Sequence, residues 1–163
     1  MNIFSKEMLF SKNAAISAWI QPILSANGTL GGDSFAVEAS NTYSSNYAWK
    51  AFDDVSANTY WSPGTTSTLA KTYYTFYNPE PLNVTQIECV CTANNYWSSI
   101  DSVEGGNDGT NWTSITKSSS GKPTITCVLN NSEFYKYYKI AFNKTENNSL
   151  RVKNITITAT VYQ

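Results

Sequence analysis

Ile155-Thr156-Ile157-Thr158-Ala159-Thr160-Val161-Tyr162, just before the last residue, alternates apolar and polar side chains without interruption. Successive side chains of a strand point to opposite faces, so Ile155, Ile157, Ala159 and Val161 fall on one side and Thr156, Thr158, Thr160 and Tyr162 on the other. The run therefore predicts a strand with one buried face. Working outward, Tyr138, Ile140 and Phe142 alternate in the same way with Tyr137, Lys139 and Ala141. Phe35 to Ala39, Tyr73 to Tyr77, Ile100 to Glu104 and Thr124 to Leu129 supply further strands, and Gly, Asn, Asp, Ser and Pro clusters separate them. At least seven strands at this spacing predict a sandwich or barrel.

One segment breaks the pattern. Ala48, Ala51 and Phe52 stand at i, i+3 and i+4, which suits a single helical turn plugging an end of the sandwich. The 163 residues are enough for one domain with a sizeable core. With 11 basic and 12 acidic side chains and no run of Lys or Arg, nothing neutralises a phosphate backbone, so nucleic acid is excluded as a partner. No stretch approaches the roughly 18 to 20 apolar residues of a membrane span, so a soluble protein without membrane insertion is expected. Lys6, Glu7 and Lys12 interrupt the apolar positions of the first twelve residues, so no secretory core is expected there. Cys89 and Cys91 are two apart in a strand-like run and share a face with Ile87; with Cys127 they read as buried apolar thiols. A CxC pair in a chain without histidine lacks the remaining ligands of a zinc site.

Two stretches carry a family resemblance. Ala51-Phe52-Asp53-Asp54-Val55-Ser56-Ala57-Asn58-Thr59-Tyr60-Trp61 resembles the A-F-D-G-x-x-x-T-Y-W element of the discoidin, or coagulation-factor type C, domains and of family 32 carbohydrate-binding modules. Val103-Glu104-Gly105-Gly106-Asn107-Asp108-Gly109-Thr110-Asn111-Trp112 is similar to the same family's E-G-S-N-D-G-x-x-W turn. With the strands at Tyr137 to Ile140 and Ile155 to Ile157, the order matches over roughly Phe35 to Gln163. The resemblance implies an all-β, antiparallel jelly-roll β-sandwich of the galactose-binding-like kind. It is taken here as residues 25–163, with residues 1–24 as an N-terminal attachment or oligomerisation segment. Asn107-Asp108-Gly109 supplies the residues that tolerate a left-handed backbone in a tight turn. Trp61 and Trp112 are read as core aromatics, each able to bury roughly 150 to 250 Å².

The family often holds calcium in the loop that carries Asp53, which implies Asp53, Asp54, Thr59 and Asn154 as the residues nearest a metal. Oxygen-rich loops suit a hard cation that wants six to eight ligands. Asp54 here replaces the usual Gly, and Asn154 stands where Glu is common. For a sugar, an aromatic face and a few orienting polar groups are needed. The loop Thr92 to Ser99 offers Tyr96 or Trp97 to stack and Asn94 and Asn95 to donate and accept, and Arg151, the only arginine, precedes the last strand. The absence of His removes Ser-His-Asp, Cys-His and His-metal chemistry, and Asp53 with Asp54 is the only close carboxylate pair, so no catalytic residue is expected.

The expected function is therefore a non-catalytic module that holds a cell-surface glycan. Its alternative is a structural decoration or assembly protein that uses the sandwich between proteins. Ser25-Ala26-Asn27-Gly28-Thr29-Leu30-Gly31-Gly32 resembles the approach to this domain in bacteriophage virion proteins, so a virion is the expected location, with the cell surface or extracellular space as the alternative. Ile3, Phe4, Met8, Leu9, Phe10, Ile16, Trp19 and Ile20 are too apolar to stay solvated, which predicts contact with another copy, a larger virion assembly or the domain itself.

Overall fold

The computed structural model describes residues 15–54, 59–63, 71–91, 98–120, 124–144 and 150–162. Strands form where the period-2 pattern lies, and among the described residues they are β1 (Ile16–Ala18), β2 (Ala36–Ala39), β3 (Lys71–Cys91), β4 (Ser98–Gly106), β5 (Thr113–Ser120), β6 (Thr124–Asn130), β7 (Tyr135–Lys144) and β8 (Val152–Tyr162). All their pairings are antiparallel. The architecture is the expected all-β jelly-roll sandwich.

β3 belongs to both layers. Its first part, Lys71 to Tyr77, pairs with β2 and β7; its second, from Leu82 to Cys91, pairs with β8 and β6. Asn78-Pro79-Glu80-Pro81 occupies the crossing, where the ladder shifts between Tyr77 and Leu82. Proline has no N–H to give a ladder, so it is tolerated where a strand changes neighbours. The Asn78 amide donates to the Glu80 carbonyl at 2.7 Å and holds the bend. β5 makes a second link, with Thr113 to Ile115 on β4 and Thr116 to Ser120 on β6.

Between the layers the alternating faces meet in an aromatic core. Trp61, Tyr74, Phe76, Tyr138 and Phe142 are fully buried; Phe76 stacks on Tyr138 at 5.1 Å, and Trp61 meets Tyr74 edge-on at 4.9 Å. Each such ring contributes roughly 1.5 to 3 kcal/mol by leaving water. Ile155, Ile157 and Ala159 face inward as the alternation predicts, and so do Ile87, Cys89, Cys91 and Cys127. The expected helical turn is a 3-10 helix, Ala48–Ala51, with Ala48, Ala51 and Phe52 buried. Polar groups inside are satisfied rather than absent. The Tyr138 hydroxyl donates to the Leu82 carbonyl at 2.7 Å and accepts from the Val84 N–H and the Asn131 amide, each at 3.2 Å, clasping β3 just past its crossing.

The described end of the leader runs along the edge of the sheet at β8. β1 pairs with β8 through Ile16↔Tyr162, Ser17↔Val161 and Ala18↔Thr160. Beyond β1, the Trp19 N–H reaches the Ala159 carbonyl at 2.9 Å and its ring packs on Phe35. The Gln21 side chain then acts as a surrogate peptide group, donating to the Ile155 carbonyl at 2.8 Å and accepting from the Ile157 N–H at 2.7 Å. Residues 15–24 thus complete the edge of the sheet. Residues 1–14 lie outside the described residues.

Candidate functional site

The Trp61↔Val152 bridge anchors the end of the sandwich where the sequence places a site. Its backbone bonds are 2.9 Å in both directions, and the Trp61 indole donates to the Asn41 carbonyl at 3.1 Å. Val152 also pairs with Cys91, the last described residue of β3. Asn94, Asn95, Tyr96 and Trp97 follow Cys91 in the sequence and lie outside the described residues.

Around the bridge the structure gathers aromatic groups that the sequence did not single out. The Arg151 guanidinium lies over the Tyr60 ring at 5.0 Å, a cation–π contact that holds both side chains half-exposed. The Tyr43 N–H donates to the Ser62 carbonyl at 2.8 Å, which brings a ring that is 56% exposed beside the same bridge. Tyr43 sits in a loop without periodicity, so only the long-range pairing of residues 43 and 62 marks it.

The residues expected near calcium are placed as follows. Asp53 is buried at the end of the 3-10 turn, and Thr59 is half-buried. Asp54 has φ +54°, the left-handed conformation that glycine adopts freely and that Asp tolerates better than most residues. The Asn154 amide donates to the Thr156 hydroxyl at 3.3 Å on the exposed side of β8. Among the described residues no three acidic or thiol groups cluster as a metal site. A buried carboxylate is the hard-oxygen chemistry that calcium takes, and Asp53 fits it better than the amide of Asn154 does.

Trp61 is in the core as expected, but Trp112 is not. Trp112 follows the Asn107 to Asn111 turn and precedes β5, which leaves it half-buried on the outer face of β7 instead of between the layers. The Lys139 ammonium stands 4.2 Å from its ring centre, and Tyr137 meets it edge-on. The turn itself is as read. Gly109 has φ +74°, and the Asp108 carboxylate accepts from the Thr110 and Asn111 N–H groups at 2.8 and 2.7 Å. These bonds hold the Asp108 carboxyl well below the usual carboxylate range, the Asn111 N–H contributing most.

No protein-family model matches the chain, and no curated protein matches it in sequence. Solved structures match its fold. A family 32 carbohydrate-binding module from Clostridium perfringens, solved in complex with galactose, aligns with a TM-score of 0.63 at 14% identity over 77% of this chain and 93% of the module. A chitosan-binding module from a Paenibacillus chitosanase/glucanase gives 0.60 at 17% identity, covering 75% of this chain and 92% of that one. A structure from the β-galactosidase BgaA of Streptococcus pneumoniae gives 0.64 at 10% identity, covering 80% and 95%. The chain therefore has the galactose-binding-like sandwich seen in carbohydrate-binding modules.

Proposed function

We propose that this chain is a non-catalytic glycan-binding module that takes its sugar at the loop end, through Trp97 or Tyr96, Asn94, Asn95 and Arg151, together with Tyr43 and Tyr60. The observation that carries this reading is the arrangement at the Trp61↔Val152 bridge, with one exposed tyrosine ring and a second tyrosine held under a guanidinium. An apolar ring face covers the C–H face of a pyranose, and the guanidinium fork orients hydroxyls or a carboxylate. Structural neighbours described as binding galactose or chitosan support the ligand class. Asp53 and Thr59 would hold a calcium ion that stiffens the adjoining loop. The resemblance of Ser25 to Gly32 supports a place on a phage particle, where such a module would meet a host surface.

Electrophoresis of the native protein through gels containing galactan or chitosan tests the site. Retardation that disappears in Trp97→Ala and weakens at least severalfold in Arg151→Ala is expected; equal retardation of both variants and the parent protein refutes the loop end.

A second reading, an assembly protein that uses the sandwich between partners, has one observation of its own. Ile16, Ile20 and Ile23 are 58%, 86% and 68% exposed along the β1 edge. Size measurement on the full chain and on an Ile20→Glu, Ile23→Glu variant tests it: a stable oligomer lost in the variant supports assembly, and a monomer in both states refutes it.

A further inference from the structure

The outer face of the β2, β3, β7 and β4 layer carries groups that the loop end does not use. The pairings Glu38↔Thr75, Thr75↔Lys139 and Lys139↔Glu104 set four side chains in one row across four strands. Lys139 is ion-paired to Glu104 at 2.7 Å, and its ammonium lies 5.9 Å from the Tyr73 ring centre as well as over Trp112. Glu38 is exposed, and the ion pairs among the described residues, Lys71–Asp101 and Lys139–Glu104, do not include it. Above the row lies an open cleft of about 390 Å³, lined by the rings of Tyr73, Trp112 and Tyr137 and by Glu38 and Ser40.

The walls are fixed in advance. Trp112 is held by Lys139 on its face and by Tyr137 at its edge, and a side chain at Gly106 would come within 3.5 Å of the indole. Gly109 lets the turn lie against Tyr137, since a Cβ there would stand 3.3 Å from that ring. A platform set before the ligand arrives loses little side-chain entropy on binding.

We infer that this cleft is a second sugar site, separate from the loop end, for an uncharged pyranose; its ligand class rests on the glycan-binding reading above. The volume is within the range of small-ligand sites, roughly 300 to 1,000 Å³. Half-exposed rings beside a carboxylate and hydroxyls match a ligand with one apolar face and a rim of O–H donors. A carboxylate accepts two donors at once, so Glu38 suits two neighbouring sugar hydroxyls. The charges select among ligands. Lys139 is neutralised by Glu104, which leaves Glu38 as the unbalanced charge of the row and disfavours phosphate or an acidic sugar. A purely apolar ligand would strip water from Glu38 without replacing its hydrogen bonds.

The five tryptophans provide a readout, because each indole N–H gives its own resonance in the ¹⁵N-labelled full chain. Signals are assigned with Trp112→Phe and Trp97→Phe, and the protein is titrated with lactose, chitotriose and sialyllactose. A saturable shift of the Trp112 signal with lactose or chitotriose is expected, weakened at least tenfold in Tyr73→Ala and in Glu38→Gln. Sialyllactose should act on it no more strongly than lactose. Shifts at Trp97 alone would sustain the loop-end site and overturn the cleft. A Trp112 shift indifferent to both variants, or one that favours sialyllactose, would overturn it as well. Silence at every tryptophan would remove the cleft and the glycan reading together.

Discussion

Replacing Tyr138 with Phe deletes one oxygen and leaves two buried backbone groups of β3 short of a partner. In the native chain that hydroxyl donates to the Leu82 carbonyl and accepts from the Val84 N–H. Asn131 loses a third contact but keeps the Val84 and Glu133 carbonyls. An unsatisfied buried backbone group costs about 1 to 3 kcal/mol, so at mid-range values for the two groups the expected loss is about 2 to 4 kcal/mol. At ~2 to 4 °C per kcal/mol for a domain of this size, the melting temperature should drop by roughly 5 to 15 °C. Tyr74→Phe is the internal control, since its hydroxyl makes a single bond to the Ala48 carbonyl at 2.8 Å and its loss should cost only about 1 kcal/mol. Urea unfolding of both variants reads the difference, with the slope on denaturant unchanged. A Tyr138→Phe loss under about 0.5 kcal/mol, or one equal to that of Tyr74→Phe, would refute the clasp at the β3 crossing.

Other expectations follow from the same geometry. Gly105→Ala puts a Cβ 2.2 Å from the Tyr135 ring, so it should destabilise by about 1 to 3 kcal/mol, and a melting temperature equal to the parent's would contradict that contact. Asp101, hydrogen-bonded by Lys71 and Asn143, and Asp108, bonded by the turn N–H groups, both titrate below the usual carboxylate range. Depressed folded values stabilise above the unfolded value near about pH 4, and that stability is lost as pH falls through the folded ones. Melting temperature should therefore decline below about pH 4, less steeply in Asp108→Asn; equal slopes would count against the turn's role. Burial raises the thiols of Cys89 and Cys127 and pushes Cys91 up to about 11, so a thiol reagent at pH 8 should label none of the three before unfolding and all of them after. Millimolar calcium should raise the melting temperature of the parent chain and not of Asp53→Asn; an identical response of the two would remove Asp53 from any calcium site.

The strands were legible because a buried face every second residue leaves a direct trace, as in Ile155 to Val161 or Tyr138 to Phe142. The short β1 strand was not, since three residues carry too little pattern and its stability comes from pairing with β8 and from Gln21. The length of β3 was hidden by Pro79 and Pro81, which punctuate the sequence but in the fold mark a change of layer. Trp112 lies outside the core: size and apolarity indicate burial without saying which side of a sheet is available. Its place depends on the turn at Gly109 and on Lys139, twenty-seven residues farther along the chain and on another strand. The row from Glu38 to Glu104 exists only once four registers are known, and the pairing of Tyr43 with Ser62 is equally non-local.

Glycan binding by this sandwich is read out by probing an array of neutral and acidic glycans with the full labelled chain. Saturable binding to a small set of related glycans, competed by the free sugar, is the predicted result. An array that stays silent in the presence and absence of calcium, with correctly folded protein, would contradict it.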